Sequence, residues 1–168
     1  MREITAWKIG WCGRGGTVLS ICAGTRTSMA WLARAHMCLR YAAGARTGAP
    51  PHPFGYGLFC FETARAAAHA AKRWWLEVGM TPRGLTRRVA VMRVRAADPW
   101  FPPDRVPPIT LFARGEVHPT RPTSPGVEVP PYTLMVRAVT PEAVAWFDGH
   151  RWGGDPEVIG AAELGYGG

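Results

Sequence analysis

The sequence predicts a single α+β domain, residues 1–168, in which a mixed, mostly antiparallel sheet packs against one long helix. Short apolar segments of strand-like alternation are separated by turns rich in Gly and Pro, and one Ala-rich segment has helical periodicity. Their order is two strands, a helix, two strands, a long helix, three strands and a short helix. This order lacks the regular strand–helix alternation of a parallel α/β sheet, so an α+β class is favoured.

The N-terminal segment predicts a β-hairpin over residues 4–24. The stretches ITAWKIGWC and TVLSICAG flank GRGG, whose glycines accept the positive φ angles of a tight turn. Pairing Cys12 with Thr17 across this turn would place Trp11 opposite Val18. One face of the first strand then carries the alternating apolar residues Trp7, Ile9 and Trp11.

Three further segments follow before the long helix. TSMAWLARAHM (27–37) predicts a short helix, CLRYA (38–42) a strand and GLFCF (57–61) a buried strand. The Gly- and Pro-rich stretch GARTGAPPHPFGYG connects the last two.

The segment 63–78 predicts one long Ala-rich helix. Thr63 is the expected N-cap and Gly79 the expected residue just beyond the C-terminus. At about 100° per residue, the small and aromatic residues fall on one side, which fits close packing against a sheet. They are Ala64, Ala67, Ala71, Trp74, Trp75 and Val78. The candidate binding residues form a basic stripe on the other side: Arg65, His69, Lys72 and Arg73.

The second half of the chain predicts three strands separated by long Pro-rich loops. The strands are RRVAVMRVRA (87–96), ITLFAR (109–114) and YTLMVRAV (132–139), and the loops cover about 98–108 and 118–131. We expect Trp100 and Phe101 to anchor the first loop.

The C-terminal part predicts a short helix and then little regular structure. Thr140-Pro141-Glu142 offers an N-cap, a Pro at the first helical position and an acid in the first turn, so AVAWF is expected to be helical. The Gly-rich tail, 149–168, is expected to be weakly structured.

The chain is strongly basic, with a formal net charge of +8, and 18 of its 20 basic side chains are Arg. The first 97 residues carry 15 basic and 3 acidic side chains, whereas residues 98–168 carry 5 and 9. One interpretation is a basic face that binds an anion, a nucleic acid or an acidic partner. The other is a solvated, Arg-rich surface that reflects a GC-rich genome.

The four cysteines predict buried, reduced thiols. Cys12, Cys22, Cys38 and Cys60 form no CxxC pair and lie in apolar segments, so neither a disulfide framework nor a metal site is expected. The N-terminus has no apolar core of a signal peptide, and no apolar run approaches the roughly 18 residues of a membrane span. We therefore expect no membrane association.

No catalytic motif of the common hydrolase, metalloprotease, P-loop or dinucleotide-binding types is present. The segments LSICAG, CLRYAAG and GYGLFCFETARAAAHAA, followed by RRVAVMRVRA, resemble small bacteriophage proteins of unassigned function over residues 7–125. The resemblance implies a non-catalytic accessory protein, in the host cytoplasm or the virion, that binds a host or virion macromolecule and needs no cofactor.

GYGLFCFETARAAAHAA is also similar to the middle of ADP-ribosyltransferase-like folds. That resemblance implies an enzyme that uses NAD, with Tyr56 or Phe59 stacked on nicotinamide and Arg40 beside the pyrophosphate. Glu116 or Glu128 would supply the catalytic acid. Nucleic-acid binding by the basic first two-thirds of the chain is a third alternative.

Overall fold

The computed structural model describes residues 1–20, 39–49, 57–78, 87–102, 105–106 and 127–164. Every strand pairing within these residues is antiparallel, which agrees with the predicted α+β class. The strands and helices are β1 (Glu3–Cys12), β2 (Val18–Ser20), β3 (Arg40–Tyr41), β4 (Thr47–Gly48), β5 (Leu58–Phe61), α1 (Ala64–Val78), β6 (Val89–Ala97), β7 (Arg105–Val106), β8 (Val127–Glu128), β9 (Thr133–Val136), β10 (Ala138–Phe147), β11 (Trp152–Gly154) and α2 (Pro156–Leu164).

The sheet is built around three long strands, with β1 and β10 on either side of β6. Its main path runs β11–β10–β6–β1–β2–β3, while β4 pairs with the outer edge of β10. β5 pairs with β1 on one side and with β9 on the other. Because β9 continues through Arg137 into β10, the sheet folds back on itself. A separate pair, β7 and β8, lies within the two segments predicted as Pro-rich loops.

One hydrophobic core fills the space between the long strands and the strands that fold back over them. β6 contributes alternate residues to it, Met92 and Val94 among them, and β5 and β9 contribute Cys60 and Val136. All four side chains are fully buried. This core holds the curvature of the sheet.

A second core lies on the opposite face of the sheet, under the helices. Trp7 and Trp11 of β1 meet the small residues of α1 here, and the predicted alternation of Trp7, Ile9 and Trp11 on one face is confirmed. Ala64, Ala67 and Ala71 are fully buried, which lets α1 approach β1 and β6 closely. The predicted division of this helix into an apolar and a basic face is also confirmed for the side chains that the structure describes, which do not include Val78.

The N-terminal hairpin forms, but its predicted register was wrong by one residue. Cys12 pairs with Val18, and Trp11 with Leu19. Gly13 donates its N–H to the carbonyl of Thr17 (2.8 Å), and a turn of 3-10 helix fills the space between them. The loop is therefore longer than a tight turn requires, and Val18 faces the enclosed core rather than Trp11.

The predicted short helix over AVAWF was wrong, because this segment is the second half of β10. The whole of β10 pairs with β6, from Ala138↔Ala97 to Phe147↔Val89. The register shifts between Pro141 and Ala143, so the ladder is irregular where Pro141 has no N–H to donate.

The tail, 149–168, was predicted to be weakly structured, but its described part contains β11 and α2. Asp155 caps α2 by accepting the N–H of Glu157 (2.9 Å). Arg93 of β6 then binds the Glu157 carboxylate (3.3 Å), which ties the helix to the sheet.

The two aromatic residues of the first Pro-rich loop differ in how far they are buried. Trp100 is half-buried and exchanges two backbone hydrogen bonds with Met135 (2.8 and 2.9 Å). Phe101 is 71% exposed, so its predicted role as a second anchor was wrong. The predicted helix 27–37 and strand 109–114 lie outside the described residues.

Candidate functional site

Trp75 of α1 holds three parts of the chain together at one end of the sheet. Its Nε1 donates to the carbonyl of Arg87, just before β6 (2.9 Å). Its ring meets Phe147 of β10 edge-on (centroids 6.1 Å apart) and also contacts His150 (6.3 Å). The Trp75 ring lies directly against Gly149 and occupies the space that a Cβ on this residue would need. The φ of Gly149 is +99°. The segment 148–151 is thereby fixed against α1.

This turn between β10 and β11 is organised by Asp148. One carboxylate oxygen accepts the backbone N–H groups of His150 and Arg151, each at 3.0 Å. These two hydrogen bonds lower the pKa of Asp148. The other oxygen lies 3.5 Å from Nε of Arg151. The turn therefore presents two adjacent basic side chains, His150 and Arg151, in a defined backbone conformation.

Lys72 of α1 faces this turn across a pair of aromatic rings. Its ammonium lies 5.7 Å from the ring centroid of Phe147 and 5.8 Å from that of Trp152, which is within the range of cation–π attraction. The rings themselves pack at 5.2 Å. The result is an open cleft of about 570 Å³, here called the Lys72 cleft. It is lined by Lys72, Phe147, His150, Arg151, Trp152, Ile159 and Glu163.

Two more arginines lie at the same end of the sheet, where β6 begins. The guanidinium of Arg87 lies 4.3 Å from the Trp11 ring, and burial lowers the pKa of Arg87. The guanidinium of Arg88 lies 4.0 Å from the ring of Trp146. We call the set Lys72, Arg87, Arg88, His150 and Arg151 the basic end.

The structure places all four predicted binding residues on the exposed face of α1. Lys72 alone among them lines the cleft, while Arg65, His69 and Arg73 lie elsewhere on that face.

Sequence reasoning missed the partners of Lys72. His150 and Trp152 belong to a tail that was expected to be weakly structured, and Phe147 to a segment expected to be helical. Arg87 and Arg88 were assigned to the predicted strand 87–96, but they precede the first residue of β6. Besides the basic face of α1, these two adjacent arginines were the available signal for this surface.

The residues predicted for the enzyme alternative are only partly described. Arg40 is exposed on β3, and Phe59 is 38% exposed on β5. Tyr56 and Glu116 lie outside the described residues, and Glu128 belongs to β8. A shared NAD-binding cleft therefore stays a prediction.

The two described cysteines, Cys12 and Cys60, are free thiols. Burial raises the pKa of Cys12 to about 11 and also raises that of Cys60, which favours their unreactive protonated forms. Over the described ranges, His, Cys, Asp and Glu side chains form no group of three or more that could hold a metal ion. Neither α1 nor α2 combines the length and apolar character needed to cross a membrane.

No protein-family model matches the chain, and no curated protein or solved structure matches it. The most distinctive chemistry in the described residues is the basic end, where Lys72 of α1 and the two arginines just before β6 lie over aromatic rings. A functional proposal therefore starts from this surface.

Proposed function

We propose that this chain is a phage-type accessory protein that acts by binding a macromolecule of the host or the virion, and that the macromolecule is nucleic acid. The observation that carries the proposal is the basic end. Residues far apart in sequence, from Lys72 to Arg151, bring cationic side chains to one end of the sheet. The resemblance to small bacteriophage proteins supports the accessory role.

Cation–π contacts make Lys72 and Arg88 better suited to bind a large anion than freely moving side chains would be. Arg88 on Trp146 and Lys72 on Phe147 and Trp152 are each held over aromatic rings. A side chain already held in place loses less conformational entropy when it binds. The N–H edges of a guanidinium stacked through its face stay available for phosphate oxygens.

The basic face of α1 provides a second argument. Arg73, His69 and Arg65 continue from Lys72 along exposed turns of the same helix. At about 1.5 Å per residue, the stretch from Arg65 to Arg73 is about 12 Å long. A row of basic side chains on this scale suits a polyanion, which binds through several phosphates, better than a single small anion.

The experiment is a binding titration of fluorescently labelled single- and double-stranded oligonucleotides, followed by anisotropy at several salt concentrations. We expect the logarithm of the binding constant to fall linearly with the logarithm of salt, because each neutralised phosphate releases counterions. The variant Lys72→Ala, Arg88→Ala, Arg151→Ala should bind at least about tenfold more weakly at low salt, with a smaller slope.

The matched control is Arg2→Ala, Arg46→Ala, Arg137→Ala. It removes the same charge from exposed positions outside the basic end and should retain most of the affinity. Equal losses in the two variants would mean that net charge, rather than this surface, drives binding. If the wild-type protein leaves the anisotropy unchanged at about 50 mM salt, nucleic acid is not the partner.

A further inference from the structure

The Lys72 cleft differs from the rest of the basic end because three basic side chains, two aromatic rings and two residues of α2 line one open depression. We propose that this cleft binds the phosphate monoester at the end of a nucleic-acid strand. The inference rests on the proposed function and assigns one feature of the partner to one part of the surface.

Three side chains that can donate hydrogen bonds, from one helix and one turn, line the cleft. Lys72 comes from α1, and His150 and Arg151 come from the β10–β11 turn. Ammonium, imidazole and guanidinium groups all donate N–H bonds to phosphate oxygens, and such charge-assisted bonds are about twice as strong as neutral ones. A monoester exposes three terminal oxygens, so each donor has an acceptor.

The walls of the cleft favour a strand end over the middle of a strand. Ile159 and Glu163 of α2 line the cleft together with the three donors. The Glu163 carboxylate would repel a row of phosphates carried past it, whereas a single terminal group can be bound by the three donors alone. The charge of the ligand favours a strand end as well, since a terminal monoester carries a charge of about −1.5 to −2 and a phosphate within a strand carries one negative charge.

The size of the cleft fits the same ligand. Its volume of about 570 Å³ lies in the range of small-molecule sites, roughly 300 to 1,000 Å³, so it exceeds the needs of a phosphate alone. It therefore has room for the terminal nucleotide as well as its phosphate. The half-buried rings of Phe147 and Trp152 supply an apolar surface for that nucleotide.

Each donor residue also has a contact that restricts it before any ligand arrives. Lys72 is held by the two rings, His150 by Trp75, and the backbone of Arg151 by Asp148. Because the donors need little rearrangement, the cleft suits recognition of one compact group.

The test uses one oligonucleotide sequence in three forms: with a 5′-phosphate, with a 3′-phosphate and with hydroxyl groups at both ends. We expect one phosphorylated form to bind wild-type protein about tenfold more tightly than the hydroxyl form. Lys72→Met should abolish this difference. The matched control is Arg65→Met, which removes a charge from the same exposed face of α1 two turns away and should preserve the preference.

Two further measurements bear on the cleft itself. Inorganic phosphate should compete with the phosphorylated form more strongly than chloride at equal ionic strength. Glu163→Gln should strengthen binding of the phosphorylated form more than that of the hydroxyl form, because it removes a negative charge from the cleft that receives the terminal phosphate. A residue with only a structural role would not separate the two forms in this way.

The outcomes separate the inference from the proposed function. If wild-type protein binds all three forms equally, or if Lys72→Met retains the preference, the cleft does not recognise a terminal phosphate, while the nucleic-acid proposal stands. If none of the three forms binds, the proposed function fails and the inference fails with it.

Discussion

The contact between Gly149 and Trp75 shows how strongly one residue determines the site. Gly149 has a φ of +99°, and its missing side chain is replaced by the indole ring of Trp75. The same ring binds the Arg87 carbonyl and contacts His150. A change at this glycine therefore reaches both α1 and the turn that carries the cleft donors.

We predict that Gly149→Ala destabilises the protein by about 2 to 4 kcal/mol. An alanine at this position combines an unfavourable φ with overlap of its Cβ and the Trp75 ring. Urea unfolding followed by circular dichroism measures the change in the free energy of unfolding.

Gly44→Ala is a suitable control for this prediction. Gly44 also has a positive φ (+72°), but a Cβ there would have no heavy atom within 4 Å. We expect this variant to lose only the backbone contribution, about 1 kcal/mol. Equal losses at the two positions would show that the Trp75 contact contributes nothing.

At the scale of elements, α1 was the most predictable part of the molecule, because its signals are local and agree with one another. Thr63 lies at the predicted N-cap, and its Oγ accepts the N–H of Ala66 (3.1 Å). We predict that Thr63→Ala lowers the free energy of unfolding by about 1 kcal/mol, whereas Thr63→Ser retains most of it. Thermal unfolding of both variants tests this, and equal losses would indicate that the hydroxyl does not cap the helix.

β10 was mispredicted because its local signals conflict with its environment. Thr140, Pro141 and Glu142 form a good helix start, yet pairing with β6 determines the structure. The carbonyl of Pro141 accepts the N–H of Gly44 (2.8 Å), a contact between residues almost one hundred positions apart. No local pattern contains that information.

The candidate site was only partly predictable for the same reason. The basic face of α1 follows from helical periodicity alone, so Lys72 was identified. Its partners Phe147, His150 and Trp152 lie on β10, on β11 and in the turn between them, and β10 is positioned by its non-local pairing with β6. The hairpin register failed in a different way, since the length of a Gly-rich loop is not determined by its composition.

At the scale of the whole molecule, the fold sorts the charges along β6. Glu142 and Glu157 lie 3.6 and 3.3 Å from Arg93, in the middle of the strand. Glu3 lies 3.7 Å from Arg95, near its far end. Arg88 precedes the first residue of the strand and stacks on Trp146. Carboxylates thus offset Arg93 and Arg95 along β6, and at the basic end Asp148 offsets Arg151.

The stability of the whole fold also depends on pH through two thiols, one in the enclosed core and one in the hairpin next to it. Burial raises the pKa of Cys60 and of Cys12, the latter to about 11, against the opposing effects of Lys8 and Arg88. A thiol whose pKa is higher in the folded state stabilises that state fully below its unfolded pKa of about 8.5. This contribution is lost as the pH rises through the folded value, because the unfolded chain releases its protons first.

We therefore predict that the free energy of unfolding falls more steeply between about pH 8 and pH 10.5 in the wild-type protein than in Cys12→Ala, Cys60→Ala. Cys12 should contribute roughly 1 kcal/mol to the difference after allowance for its partial exposure, and Cys60 should add to it in the same direction. Urea unfolding curves at several pH values measure this difference. The cavity that Cys60→Ala creates lowers the free energy of unfolding at every pH, so the slope of that free energy against pH reports on the thiols alone. Cys22 and Cys38 are present in both proteins, so their titration cancels. Parallel pH profiles would contradict the assignment of these two thiols to protected, high-pKa positions.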